Sequence, residues 1–349
     1  MSVGFAPAMV VRLSCRHLAR SKASMAPTPA ANLRVSSQQV QAYRENGVVH
    51  LPQLFGPDWV QYLREAFGQG MQRPGKYAEF ISKDSTWETL FENAQRKNVG
   101  MFQDQVFYEE AVERLPDWVP VFHSHAAAVI AQLMGSATVS FFYLHAILKR
   151  GGSTAIPWHQ DLPYWKVDGK QIGSVWIALD DMPLAASVRY VQGSHAWGLF
   201  RPRHFVDHSP YAGRDELPEL PDVETMLRAG EANALSFEVK AGDALCFDSR
   251  IVHGSPGHPE ADGPEQRRVA LRFGGDDAIY CDRAGETAIP TPEIDATHSL
   301  QHGDPLSCKE PTCAQDPLPQ HAAHCSGLRA ESAPNKAKFG SKHEQQSEP

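Results

Sequence analysis

The chain has 349 residues and carries 33 Lys and Arg against 41 Asp and Glu, a formal net charge of −8. That balance leaves no basic footprint for nucleic acid, and no apolar stretch approaches the roughly 18–20 residues of a membrane span. Of the six cysteines only Cys246 and Cys281 lie in the central region, too few for a disulfide framework, so a reducing compartment and one domain with tails are expected.

The first 44 residues lack Asp and Glu but carry Arg12, Arg16, Arg20, Lys22 and Arg34 among serines, alanines and apolar residues. This composition reads residues 1–33 as a targeting or disordered segment, with a mitochondrial address as the leading expectation and a cytoplasmic protein as an alternative. The stretch Arg12–Leu18 is also like a peroxisomal address with a shortened spacer, a second alternative.

Folding is expected to begin near Ser36, where Ser36 or Ser37 caps a helix through Asn46 and Gly47 stops it. Val48–Leu51 reads as a strand. A second helix is expected from Pro57 to about Phe67, ahead of Gly68 and Gly70. Residues 71–118 are mixed and read as loops with short helices. Val119–Met134 has apolar residues at helical spacing and ends at Gly135.

From Thr138 the period changes to two. Val139, Phe141, Tyr143 and His145 alternate with their neighbours, and further short strands are expected at 174–179, 188–191, 235–239, 244–247 and 269–273. Many short strands between turn residues argue for an all-β core with flanking helices, here a jelly roll. The loop 198–234, with four prolines, is long for a compact domain and reads as a functional lid or insertion. The domain is expected to span 34–296. Residues 297–349 turn rich in Pro, Ser, Gln, His and Lys and read as a disordered tail; the spacing of Cys308, Cys313, His321, His324 and Cys325 fits no zinc pattern well.

The chemistry centres on Pro157-Trp158-His159-Gln160-Asp161-Leu162-Pro163-Tyr164-Trp165. In extended backbone, residues two apart share a face, so His159 and Asp161 can grip one cation. His253, which closes an apolar run beside Gly254, is the best third ligand. Two histidines and one carboxylate make the facial set that holds non-heme Fe(II) and leaves positions open. His145 reads as cavity-lining and His195 as a structural turn residue.

These motifs, with Gly193-Ser194-His195, Ala241-Gly242-Asp243, His253-Gly254-Ser255 and Arg272-Phe273-Gly274-Gly275-Asp276-Asp277, resemble the phytanoyl-CoA dioxygenase family over roughly Gln38 to Pro292, and they occur in the family's order. The resemblance implies a double-stranded β-helix of cupin-like type, Fe(II) held by His159, Asp161 and His253, and 2-oxoglutarate with O2 as cosubstrates. Ascorbate would be supportive, and succinate and CO2 would be coproducts of hydroxylating a small or lipid-like organic molecule. It also implies that Trp176 lines the cosubstrate pocket and that Ser255 hydrogen-bonds the cosubstrate.

The cosubstrate's far carboxylate calls for an arginine fork, and in the family that arginine lies on the strand after the distal histidine. Arg267, Arg268 and Arg272 compete for the role. Arg268, Ala270 and Arg272 share a face, and Arg268 is chosen. Gln266 stands where an ungapped count puts the family arginine, and Leu184–Arg189 departs from the usual Asn-Gly turn. The second departure bears on local loop geometry; the missing arginine at 266 keeps open an alternative, a metal-binding jelly-roll sensor or binding protein without turnover.

Overall fold

The computed structural model describes residues 26–28, 33–75, 77–81, 101–151, 153–205, 207–258, 263–288 and 300–306. The targeting expectation for residues 1–33 and the cysteine-containing tail fall almost entirely outside them.

Helix α1 (Ser37–Asn46) opens with a capping box: Ser36 Oγ accepts from Gln39 N at 3.2 Å, and Gln39 Oε1 accepts from Ser36 N at 2.7 Å. Gly47 closes it at φ 78°, a left-handed turn that glycine adopts without Cβ strain. Strand β1 (Val48–Leu51) follows directly. Helix α2 (Pro57–Gln72) runs a turn beyond its expected end. Gly70 lies inside it and packs against the Trp118 indole.

Residues 71–118 are not simply loops. They supply β2 (Glu79–Ile81), β3 (Met101–Val106) and α3 (Tyr108–Arg114). The single helix expected over 119–134 is divided into α4 (Val119–Phe122) and α5 (His125–Met134). The division falls at Ser124, whose hydroxyl accepts from Ala126 N at 3.3 Å and starts a new helix.

The remaining elements are β4 (Ser140–Lys149), β5 (Ile156–His159), β6 (Val167–Asp168), β7 (Ile172–Ala178), β8 (Arg189–Val191), α6 (Val223–Ala229), β9 (Ala234–Ser236), β10 (Ala244–Asp248), β11 (His253–Ser255), β12 (Gln266–Gly274) and β13 (Ile279–Tyr280). The major sheet has seven strands in the order β1-β10-β7-β12-β4-β3-β2, and the minor sheet four in the order β5-β11-β8-β9. All neighbours pair antiparallel. This is the jelly roll, a mostly antiparallel β core with flanking helices.

Alternation along the central strands feeds two separate interiors. Val175, Ile177, Val269, Leu271 and Cys246 point outward into a core shared with Phe55, with Trp59 and Leu63 of α2, and with Val129 and Ile130 of α5. Trp176, Ala178, Ala270, Leu245 and Phe247 point inward, toward Tyr190 and Ile251. The helices thus support one face, and the opposite face is free to build a cavity between the sheets.

Candidate metal centre

His253 lies directly across from His159 in the β5–β11 ladder, which explains how residues far apart in sequence meet. Asp161 arrives differently from the extended-face expectation. It sits at φ −72°, ψ −44°, entering the tight turn 162–164, and this turn brings its carboxylate to the histidines. Asp161 Oδ1 is 3.6 Å from His159 Nε2 and 3.8 Å from His253 Nε2. One ligand atom from each of the three residues lies within 4.8 Å of the others, a spacing one metal ion can bridge.

Each imidazole is fixed by its own chain. His159 Nδ1 donates to Pro157 O at 2.8 Å, and His253 Nδ1 donates to Ile251 O at 3.0 Å. With Nδ1 carrying the proton, both Nε2 lone pairs are free to ligate. Burial, with His159 beside it, pushes the His253 imidazole down to about 3, so it is neutral and ready to ligate. Burial alone would raise the Asp161 carboxyl, but Arg272 and the two imidazoles outweigh it and hold it below its ordinary range. Arg272 Nη1 stands 2.8 Å from Asp161 Oδ2, is anchored on Ser174 Oγ at 2.5 Å and lies near the rings of Trp165 and Phe247.

The family motifs mostly hold this geometry in place. Gln160, between two of the ligands, turns away and bonds Gly198 O, Arg250 O and Phe200 N, tying the long loop and the β10–β11 turn to the site. Ser194 Oγ donates to Val191 O at 2.7 Å and accepts from Val252 N at 2.8 Å, fixing the residue before His253. Asp243 accepts from Gln53 N and Lys240 N. Asp276 and Asp277 cap the ends of neighbouring loops through Ala137, Thr138, Lys170 and Gln171. His195 bonds Arg44 O at 3.0 Å, a structural turn residue as read from the sequence.

The triad opens on a cavity of about 390 Å³ whose lining includes Trp176, Ser255 and Arg268. The three competing arginines separate cleanly. Arg267 faces outward and pairs with Asp180, its Nη2 2.8 Å from Oδ1. Arg272 is committed to Asp161. Arg268 is 4% exposed, and among the described residues the one hydrogen-bonding contact of its side chain is Met182 Sδ at 3.7 Å. Burial lowers its guanidinium only to about 10, so it remains a cation.

One wall of the cavity is polar. His145 Nε2 bonds Gln103 Oε1 at 3.2 Å, and Gln103 Nε2 donates to Glu79, which burial raises above its ordinary range. The opposite wall comes from the long loop: the Phe205 ring lies 4.7 Å from that of His159 and 5.6 Å from that of Tyr164. Sequence reading missed Gln103 and Glu79, and behind the wall the buried Lys149, whose Nζ donates to Ser255 Oγ at 2.6 Å. The alternation through Tyr143 and His145, carried on to Ile147 and Lys149, was the available signal for the lysine.

The family model for phytanoyl-CoA dioxygenase (PhyH) matches residues 43–261. The chain belongs to the phytanoyl-CoA dioxygenase family. No curated protein matches the chain. Among solved structures of similar fold is the non-heme alpha ketoglutarate dependent carbocyclase SnoK from nogalamycin biosynthesis, at 19% identity and TM-score 0.57 over 80% of this chain and 96% of that one. The epimerase SnoN in complex with Fe3+, alpha ketoglutarate and nogalamycin RO is 18% identical, with TM-score 0.51 over 78% and 95% of the two chains. EctD from S. alaskensis with bound Fe is 17% identical, with TM-score 0.50 over 72% and 82%. At such identities the likeness is one of fold. Among the described residues, no helix is long and apolar enough to cross a membrane.

Proposed function

We propose that this member of the phytanoyl-CoA dioxygenase family is an Fe(II)- and 2-oxoglutarate-dependent oxygenase that hydroxylates a small organic substrate, with succinate and CO2 as coproducts. The observation that carries the reading is the convergence of two Nε2 lone pairs and one carboxylate oxygen on a cavity that also holds a buried guanidinium with no carboxylate partner among the described residues. The donor set fits Fe(II): three protein ligands occupy one face and leave the other positions open. Bound there, Fe(II) with 2-oxoglutarate and O2 supplies the oxidation of a C–H bond.

The chain's own residues bind and orient. His159, Asp161 and His253 hold the metal. Arg268 receives the far carboxylate of 2-oxoglutarate, Ser255 adds a hydroxyl and Trp176 forms a wall. Phe205 and Tyr164 limit water at His159, and the polar row His145–Gln103–Glu79 faces the substrate. A cavity of this volume takes a small molecule, or only the head of a larger one. No basic cluster in the sequence marks a site for the phosphates of an acyl-CoA. The alternative of a binding protein without turnover rests on Gln266 in place of the family arginine; Arg268, two residues on and on the same face, supports the enzymatic reading over it.

The test is succinate formation from 2-oxoglutarate with Fe(II) and ascorbate across acyl-CoAs, free acids and small metabolites, with product mass followed. Gain of one oxygen atom supports hydroxylation. Succinate with a product that gains none points instead to ring formation or epimerisation, and no succinate with any substrate defeats the proposal. His159→Ala or His253→Ala should abolish both iron binding and turnover, since two ligands hold a labile divalent ion poorly against water.

A further inference from the structure

We infer that Lys149 is a second cation behind the cosubstrate end of the cavity, orienting the lining residue Ser255 and joining Arg268 in neutralising the far carboxylate of 2-oxoglutarate. The inference rests on the function proposed above. Lys149 ends β4 and is 1% exposed. Its Nζ donates to Ser255 Oγ at 2.6 Å and to Pro256 O at 3.2 Å. In the β4–β12 ladder Lys149 faces Gln266 and Ile147 faces Arg268, so the two cations are diagonal neighbours on the inner face of the sheet.

Among the described residues no carboxylate pairs with either of them. The contrast with other buried cations is direct: Arg272 has Asp161 at 2.8 Å, and Arg214 has Glu216 at 2.9 Å. Two adjacent like charges in a dry interior are costly unless an anion joins them. Burial, reinforced by Arg268, drives the Lys149 ammonium well below its ordinary range, and a carboxylate bound beside it would restore the charge. Because Nζ donates to Ser255 Oγ, the Ser255 proton is left to point at an acceptor in the cavity. Lys149 is therefore a positioning residue through Ser255 and an electrostatic partner of Arg268. A bare tether between β4 and the end of β11 would need no charge.

The experiment measures binding, without turnover, to Mn(II)-loaded protein by calorimetry in the absence of O2. The ligands are 2-oxoglutarate and 2-oxopentanoate, which keeps the metal-chelating head and lacks the far carboxylate. Lys149→Met removes the charge, and Lys149→Gln removes it while keeping a donor toward Ser255, which guards against a fold defect in the first variant. We expect 2-oxoglutarate to weaken roughly ten- to a hundredfold in both variants, with 2-oxopentanoate changed by less than about threefold. Equal weakening of both ligands, or of neither, overturns the role of Lys149 alone. Failure of the unaltered protein to bind 2-oxoglutarate overturns the proposed function and this inference with it.

Discussion

Arg272 approaches the oxygen of Asp161 that is turned away from the histidines: Nη1 lies 2.8 Å from Oδ2, while Oδ1 faces His159 and His253. The pair divides the carboxylate into one oxygen held by the protein and one offered to a metal. It also keeps the buried acid ionised, as a ligand must be.

Replacing Arg272 by methionine should therefore weaken divalent-metal affinity about ten- to a hundredfold, the usual range for outer-shell partners of metal ligands. The metal-free protein should also lose stability, on the order of 3 kcal/mol, because a buried carboxylate loses its counter-ion. Metal titration and thermal unfolding of the metal-free variant check the two effects separately. Unchanged metal affinity would show that the turn 162–164 alone orients Asp161.

The cosubstrate arginine is tested by a matched pair on adjacent positions of β12. Arg268→Ala should raise the apparent KM for 2-oxoglutarate roughly ten- to a hundredfold and leave iron content intact, since it removes one charge-assisted contact and no ligand. Arg267→Ala should leave that KM within about twofold, because its guanidinium is engaged with Asp180 on the outer face. A reversed pattern would mean that strand register does not decide which arginine meets the cosubstrate.

How much of this was legible beforehand depends on which signal each residue carries. The central strands, α1, and the meeting of His159, Asp161 and His253 were readable, because period-two alternation, capping residues and a ligand triad are local or strongly patterned. Strands β2 and β3 were not. Three of their inward positions, Glu79, Gln103 and Gln105, are polar because they face the cavity beside Ile81 and Met101, so the apolar alternation breaks off where the chemistry needs it. The Asp161–Arg272 pair and the free guanidinium of Arg268 depend on which of three nearby arginines finds a carboxylate. That follows from register across β4, β12 and β7, which no single stretch of sequence displays.

Asp104 offers a stability test away from the metal. It lies on the outward face of β3, is 2% exposed and accepts from Gly75 N at 2.9 Å. Burial raises its carboxyl to about 6, with the Gly75 N–H opposing and Glu110 adding. A carboxyl raised on folding contributes stability at low pH that is lost as pH climbs through the folded value. For Asp104 the window runs from about pH 4 to about pH 6. Asp104→Asn keeps an acceptor for Gly75 N and never ionises. The variant should be the more stable protein at about pH 7.5, by on the order of 2 kcal/mol, and the difference should shrink toward pH 4. Thermal unfolding of both metal-free proteins across this range reads the effect. A constant difference at all pH values would remove Asp104 ionisation as its cause.

Phe205 tests the covering of the centre. It stands on the long loop, 41% exposed, with its ring 4.7 Å from that of His159, whose own side chain is 11% exposed. Because the ring is half in solvent, Phe205→Ala should cost less than about 1 kcal/mol of global stability. Its local effect is different in kind. Opening this side lets water and small chelators reach His159, so Fe(II) should transfer to an external chelator several-fold faster while equilibrium affinity, set by the three ligands, changes little. The same opening should raise 2-oxoglutarate consumption that is not matched by substrate oxidation, since the wall that excludes water is thinner. Stopped-flow metal transfer and the ratio of succinate to oxidised substrate measure the two consequences. If both stay at the level of the unaltered protein, the ring is an ornament of the loop, and shielding of the centre falls to Tyr164 and the loop backbone.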